Sequence, residues 1–263
     1  MGEAKRRKRD SFSPEQHKEL ERAVEVAYRR TRVGIASART APDAAAKSDV
    51  IAAIHDETAG LIGTLTEEFF AADHEGPATR ARIACKRGCS HCCHANVEVT
   101  IVEAIAVARR VAGDVRLRAR VIAGAPRVDG IPPWTRFDLR IPCALLGDDG
   151  ACSIYDVRPR VCRAHVSYDV KLCEEVLTSG NSRALGPMVT FGWPRMVSKA
   201  VAHGTTAALQ HERLQACTVE MTAAVDLLLR TADAVPRWLG GSPVFADYGA
   251  ARTSGVPMLR HEM

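Results

Sequence analysis

The sequence predicts a mainly α fold, a helical shell around an irregular, loop-rich cysteine core, and three observations carry that reading. Aromatic residues make up only 5% of the chain and alanine is plentiful, a balance that favours helices packed through small side chains over a sandwich of short strands. Apolar residues recur at three- and four-residue spacing behind helix-capping signals. Eight of the nine cysteines fall between Cys85 and Cys173, among glycines and other turn formers.

The first helix is signalled by Ser13 as cap, Pro14 at the first helical position and Gln16 completing a capping box, with Leu20, Val24 and Ala27 along one face. A second helix should begin near Asp43, carry Ile51, Ile54, Leu61, Leu65 and Phe69, and stop near Gly76 and Pro77. His55, one turn from that stripe, reads as a surface or boundary histidine. Thr100 and Glu103 form another capping box, opening a helix to about Val111, and Gly124 to Pro133 reads as a loop. Arg158-Pro159 should open a helix bearing Cys162 and Arg163. A last long helix is expected from about Thr205 to Arg230, with Leu214, Cys217, Met221, Val225 and Leu228 as its apolar stripe, which makes Cys217 a packing residue. These elements divide the chain into a basic disordered tail (1–12), N-terminal helices (13–80), a cysteine-cluster metal-binding domain (81–180), a helical segment packing on the core (181–240) and a loose tail (241–263).

At 263 residues the chain can bury a core without disulfide support, and 46% apolar with 25% charged residues is the balance of an ordinary globular protein. The formal net charge is +5, and Lys5, Arg6, Arg7, Lys8 and Arg9 account for all of it. A body with balanced charge gives no reason to expect nucleic acid as a partner. No apolar stretch reaches membrane-spanning length, and the basic start runs into polar Asp10 to Gln16, so neither a span nor a secretory segment is expected and the predicted location is cytoplasmic. In that reducing compartment clustered cysteines serve as metal ligands or catalytic groups before they serve as disulfides.

The spacing supports ligation. Thiolates must converge at about 2.3 Å from a zinc ion, which short Cys-x2-4-Cys turns achieve, and Cys85-x3-Cys89-x2-Cys92 meets that need twice. Neighbouring side chains in an extended segment point to opposite faces, and a bridge between adjacent Cys92 and Cys93 would be strained, so the pair suits two neighbouring sites or one polynuclear cluster. Cys143, Cys152, Cys162 and Cys173 complete the expected ligand set. Zinc or iron is the expected metal, with an iron–sulfur cluster as one form of the iron. His91, His94 and His165 rank behind the thiols as ligands because softness favours sulfur. Buried thiolates need cations nearby; Lys86, Arg87, Arg158, Arg163 and Lys171 supply them, with Arg163 the foremost candidate.

Taken together, Cys85-x3-Cys89-x2-Cys92-Cys93, Pro142-Cys143, Gly150-Ala-Cys152-Ser-Ile-Tyr155 and Arg158-Pro159-x2-Cys162-Arg163 resemble the YkgJ-type cysteine-cluster family, whose CxxCxxCC domain is associated with chelation of zinc or iron. The resemblance spans Cys85 to Cys173 and departs from the family in having three residues, not two, between the first two cysteines. It implies metal or iron–sulfur binding with no settled reaction; a related cysteine block occurs in bacterial flagellin lysine methylases. Two alternatives stand beside it. An iron–sulfur enzyme of redox, radical or methyl-transfer type is suggested by Cys-x3-Cys-x2-Cys, which also resembles the radical S-adenosylmethionine signature, although no strand precedes it. A zinc-linked thiol redox switch would exploit thiolates made reactive by Lys86, Arg87 and Arg163. The partner, protein or substrate, is unspecified.

Overall fold

A computed structural model describes residues 12–72, 75–129, 131, 133–179 and 191–245. Among them the chain is mainly α, eleven α-helices with one two-stranded sheet. Helices α1 (Pro14–Thr40) and α2 (Ala44–Ala72) lead into the short α3 (Gly76–Ala81) and the cysteine loop. Strand β1 (Glu98–Thr100) runs into α4 (Ile101–Ala112), followed by α5 (Val115–Gly124), α6 (Pro133–Asp138), α7 (Arg160–Ala164), α8 (Val170–Ser179) and α9 (Gly192–His211). Strand β2 (Thr218–Glu220) then runs into α10 (Met221–Arg230), and α11 (Ala234–Leu239) ends the described helices. None of the described helices is long and apolar enough to cross a membrane.

The local signals explain the helix starts. Ser13 Oγ accepts from the Gln16 amide while the Gln16 side chain accepts from the Ser13 amide, and Thr100 with Glu103 does the same at α4. Each reciprocal pair satisfies two amides that the first helical turn leaves unpaired. Two apolar clusters hold the shell. One joins α2, α4, the two strands, α10 and α11 around Ile51, Ile105, Val99, Met221 and Trp238. The other joins α1, α2 and α9 around Ala27, Leu65, Phe70 and Trp193. α9 can lie against α1 because Gly204 has no side chain: a Cβ there would sit 2.2 Å from the Val24 carbonyl oxygen.

Two expectations need correction. The helix expected from Thr205 to Arg230 is broken. α9 ends at His211, Arg213 adopts φ 55°, and Thr218–Glu220 pairs antiparallel with Glu98–Thr100 in the register Glu98↔Glu220, Val99↔Val219, Thr100↔Thr218. Glu220 then caps α10 by accepting from the Ala223 amide. Leu214, Met221 and Val225 are buried as the stripe required, but a loop and a strand deliver them, and half-buried Cys217 packs on the core from just before β2. His55 is not at the surface: it is 1% exposed, and its Nε2 donates to the Val157 carbonyl at 3.2 Å. At the ends, Phe12 packs on Trp193 with ring centroids 5.5 Å apart. Phe245 is buried, with its amide bonded to Gln215 Oε1 at 3.1 Å. Residues 1–11 and 246–263 lie outside the described residues. The segment expected to be a loop from Gly124 holds a 3₁₀ turn, Ala125–Arg127.

Candidate metal centre

The cysteine segments are brought together by their backbones. Gly88 takes φ 90°, a left-handed turn that glycine adopts without strain, and the Cys89 amide donates to Lys86 O at 3.1 Å. This turn accommodates three residues between Cys85 and Cys89. A 3₁₀ turn, His91–His94, follows and carries Cys92 and Cys93. The second loop folds back through Gly150 at φ 73° and an antiparallel bridge between Leu146 and Cys152. Two hydrogen bonds fasten the early loop to the later segments: the Cys143 amide donates to Cys93 O at 2.7 Å, and the Ala84 amide to Ser167 O at 2.9 Å. α7 then presents Cys162, and α8 presents Cys173.

A cavity of about 80 Å³ lies where these pieces meet, and its lining includes Cys89, Cys92, Cys93, Cys143, Cys152 and Cys162. Cys85 and Cys173 sit beside it. The Cys85 thiol, which accepts from the Ser167 amide at 3.1 Å, is pushed up first by burial and further by Cys89, Cys92 and Cys173. Burial likewise raises Cys162, followed by its neighbours Cys143, Cys92 and Cys152. The adjacent pair splits: a hydrogen bond from the Cys93 thiol brings Cys92 down to about 7, and the same bond pushes Cys93 up. Charge on neighbouring thiols thus links Cys85 with Cys89, Cys92 and Cys173, and links Cys162 with Cys143, Cys92 and Cys152. The described residues include no three His, Cys, Asp or Glu side chains already grouped to hold a metal ion, and none of the nine cysteines is in a disulfide.

The cations are arranged differently from expectation. Arg163 faces the backbone rather than the thiols, its Nε donating to Arg158 O at 2.9 Å and its Nη2 to Asp156 O. Arg158 is the cation at the cavity wall, its guanidinium 4.0 Å from the Tyr155 ring centroid. Lys86 also lines the cavity, the Arg87 guanidinium lies 5.1 Å from the centroid of the same tyrosine, and Lys171 is exposed. Two polar atoms there are buried with no hydrogen-bond partner, Arg158 Nε and His94 Nδ1. Buried polar atoms ordinarily find partners. A soft, thiol-rich donor set beside an unmet cationic N–H fits a thiolate-bound metal centre, which is anionic and accepts hydrogen bonds. His165 contributes its carbonyl, which accepts from the Cys85 thiol at 3.9 Å, and burial lowers its imidazole.

Two buried ion pairs, invisible in the sequence, hold the frame of the site. Glu103 completes the α4 cap, but its Oε1 also accepts from the Arg160 amide at 2.9 Å and its Oε2 pairs with the Arg160 guanidinium at 3.2 Å, two residues before Cys162. Arg136 pairs with Glu220 at 2.7 Å, with side chains 1% and 5% exposed; both act on the Cys143 thiol. His55 clips α2 to the turn Tyr155–Val157 beside the cavity. The capping box was a signal for half of Glu103's role; the other partners come from distant segments and leave no local trace.

No curated protein and no solved structure matches the chain. Residues 84–179, the stretch that contains all eight clustered cysteines, match the CxxCxxCC family, described as a "putative zinc- or iron-chelating domain".

Proposed function

We propose that the protein binds zinc or iron through Cys85, Cys89, Cys92, Cys93, Cys143, Cys152, Cys162 and Cys173. The single observation that supports this most is the cavity walled by six of those thiols, drawn from three separate segments of the chain. Thiolates suit both zinc and iron–sulfur centres, and the iron form of the proposal includes an iron–sulfur cluster. Adjacent Cys92 and Cys93 sit on one 3₁₀ turn, and both line the cavity. This arrangement suits two neighbouring centres or one polynuclear cluster, in keeping with a reducing, cytoplasmic setting. The helices on either side form a shell that presents the centre to a protein partner or substrate.

The test is elemental analysis of anaerobically purified protein for zinc, iron and acid-labile sulfide, repeated on cysteine variants. Cys92→Ser and Cys93→Ser should each lower metal content, while Cys217→Ser, packed against the core outside the cluster, should leave it near wild type. Equal losses at Cys217 and at the clustered positions would refute the assignment. A brown, sulfide-containing sample identifies iron–sulfur; a colourless one with thiol-bound zinc identifies zinc.

A further inference from the structure

Cys143 is the one residue that lines both the thiol cavity and a second, larger pocket. That pocket, about 310 Å³, lies between α5, the 3₁₀ turn at Ala125–Arg127, the segment Ile141 to Ala144 and the start of α10. Its volume is that of a small-molecule site. Two arginines, Arg120 and Arg127, stand among its lining residues, and no Asp or Glu does. Arg127 is exposed and has no ion pair among the described residues. Arg120 donates to Leu146 O at 3.2 Å and to Asp148 Oδ2 at 2.6 Å. The Asp148 side chain is 95% exposed, so this pair is screened by water and readily exchanged for a better-placed anion. The remaining wall is largely apolar, with Val128, Ile141 and Pro142.

Guanidinium groups select carboxylate and phosphate through paired N–H donors, and an apolar wall selects a carbon body over a bare inorganic ion. We propose that this pocket binds a small organic anion, carboxylate- or phosphate-bearing, held by Arg120 and Arg127 and seated against Cys143. Anion binding stands on the pocket alone. A second consequence rests on the metal-binding reading: because Cys143 is among the proposed ligands, the occupied pocket perturbs the metal centre through that thiol.

The test is calorimetric titration of the metal-containing full chain with glutarate and, separately, glycerol 3-phosphate, the two probes distinguishing carboxylate from phosphate recognition. Saturable binding of either is expected. Arg127→Ala and Arg120→Ala should each weaken it about tenfold or more, the loss expected for one charged hydrogen-bonding partner, and Ala123→Leu should abolish it by filling the pocket from an exposed helix position, all at unchanged metal content. Absence of binding of both probes at millimolar concentration, or binding indifferent to all three substitutions, overturns the site. Cobalt-substituted protein reads the coupling: its thiolate charge-transfer band should shift with anion in wild type and not in Ala123→Leu, and an unmoved band with anion bound overturns the coupling. Anion binding by a chain that takes up no metal would leave the pocket standing and refute the metal-binding reading instead.

Discussion

Replacing Glu103 with alanine should destabilise the protein severely, because one carboxylate serves two elements. Its Oε2 accepts from the Thr100 amide at 2.8 Å and from Thr100 Oγ1 at 2.9 Å, and its Oε1 accepts from the Arg160 amide at 2.9 Å. Truncation removes the cap, worth about 1 kcal/mol. It also strands the guanidinium of Arg160, whose side chain is 10% exposed, and an uncompensated buried charge costs about 3–5 kcal/mol. The sum, roughly 4–6 kcal/mol, is a large part of the 5–15 kcal/mol that a folded domain possesses. Urea unfolding of Glu103→Ala, Arg160→Met and the double variant measures it. If the penalty arises from the stranded charge, the double variant should be far more stable than the two single losses predict. Glu103→Gln, which retains an oxygen acceptor, should fall between wild type and Glu103→Ala. A Glu103→Ala cost near 1 kcal/mol, or strictly additive losses, would show that the pair does not hold Arg160 and the helix bearing Cys162.

Burial holds the His55 imidazole below its ordinary range, although Glu103 pulls the other way. The unfolded chain, titrating near about 6.5, then takes up the proton first. Stability should be full above that pH and fall as pH drops through it toward the folded-state value, and His55→Gln should flatten the slope; an unchanged slope would assign it to other groups. Gly204→Ala should lower stability by about 1–3 kcal/mol, since the added methyl meets the backbone of α1; thermal unfolding without a downward shift would contradict that packing. Chelation of fully reduced protein should raise hydrogen exchange between residues 85 and 173 while α1 and α9 stay protected, because metal binding closes long loops whose thiolates repel one another. Unchanged protection there would mean that the thiols do not clip the loops together.

What was legible in the sequence was what acts over a few residues. The Ser13–Gln16 and Thr100–Glu103 boxes located two helix starts, and Arg158-Pro159 located the helix of Cys162. Turn-forming Gly88 and Gly150 marked the loops. Hydrophobic period failed at 205–230, since Leu214, Met221 and Val225 keep helical spacing while the backbone reverses at Arg213 and pairs with β1. Period also placed His55 at the edge of an apolar stripe, where only the distant Val157 carbonyl explains its burial. The two charged pairs join residues 57 and 84 positions apart, beyond the reach of any local pattern. For the same reason Arg163, adjacent to Cys162 in sequence, was favoured over Arg158, which lines the cavity instead.

X-ray absorption at the metal edge of the purified, metal-containing protein tests the central claim most directly. Ligation by the clustered cysteines predicts a shell dominated by sulfur, about four scatterers per zinc at about 2.3 Å, or sulfur with a short iron–iron vector if the metal is an iron–sulfur cluster. Cys143→Ser should reduce the sulfur count or the metal content. A shell dominated by nitrogen and oxygen at about 2.0–2.2 Å, unaffected by that substitution, would contradict the account.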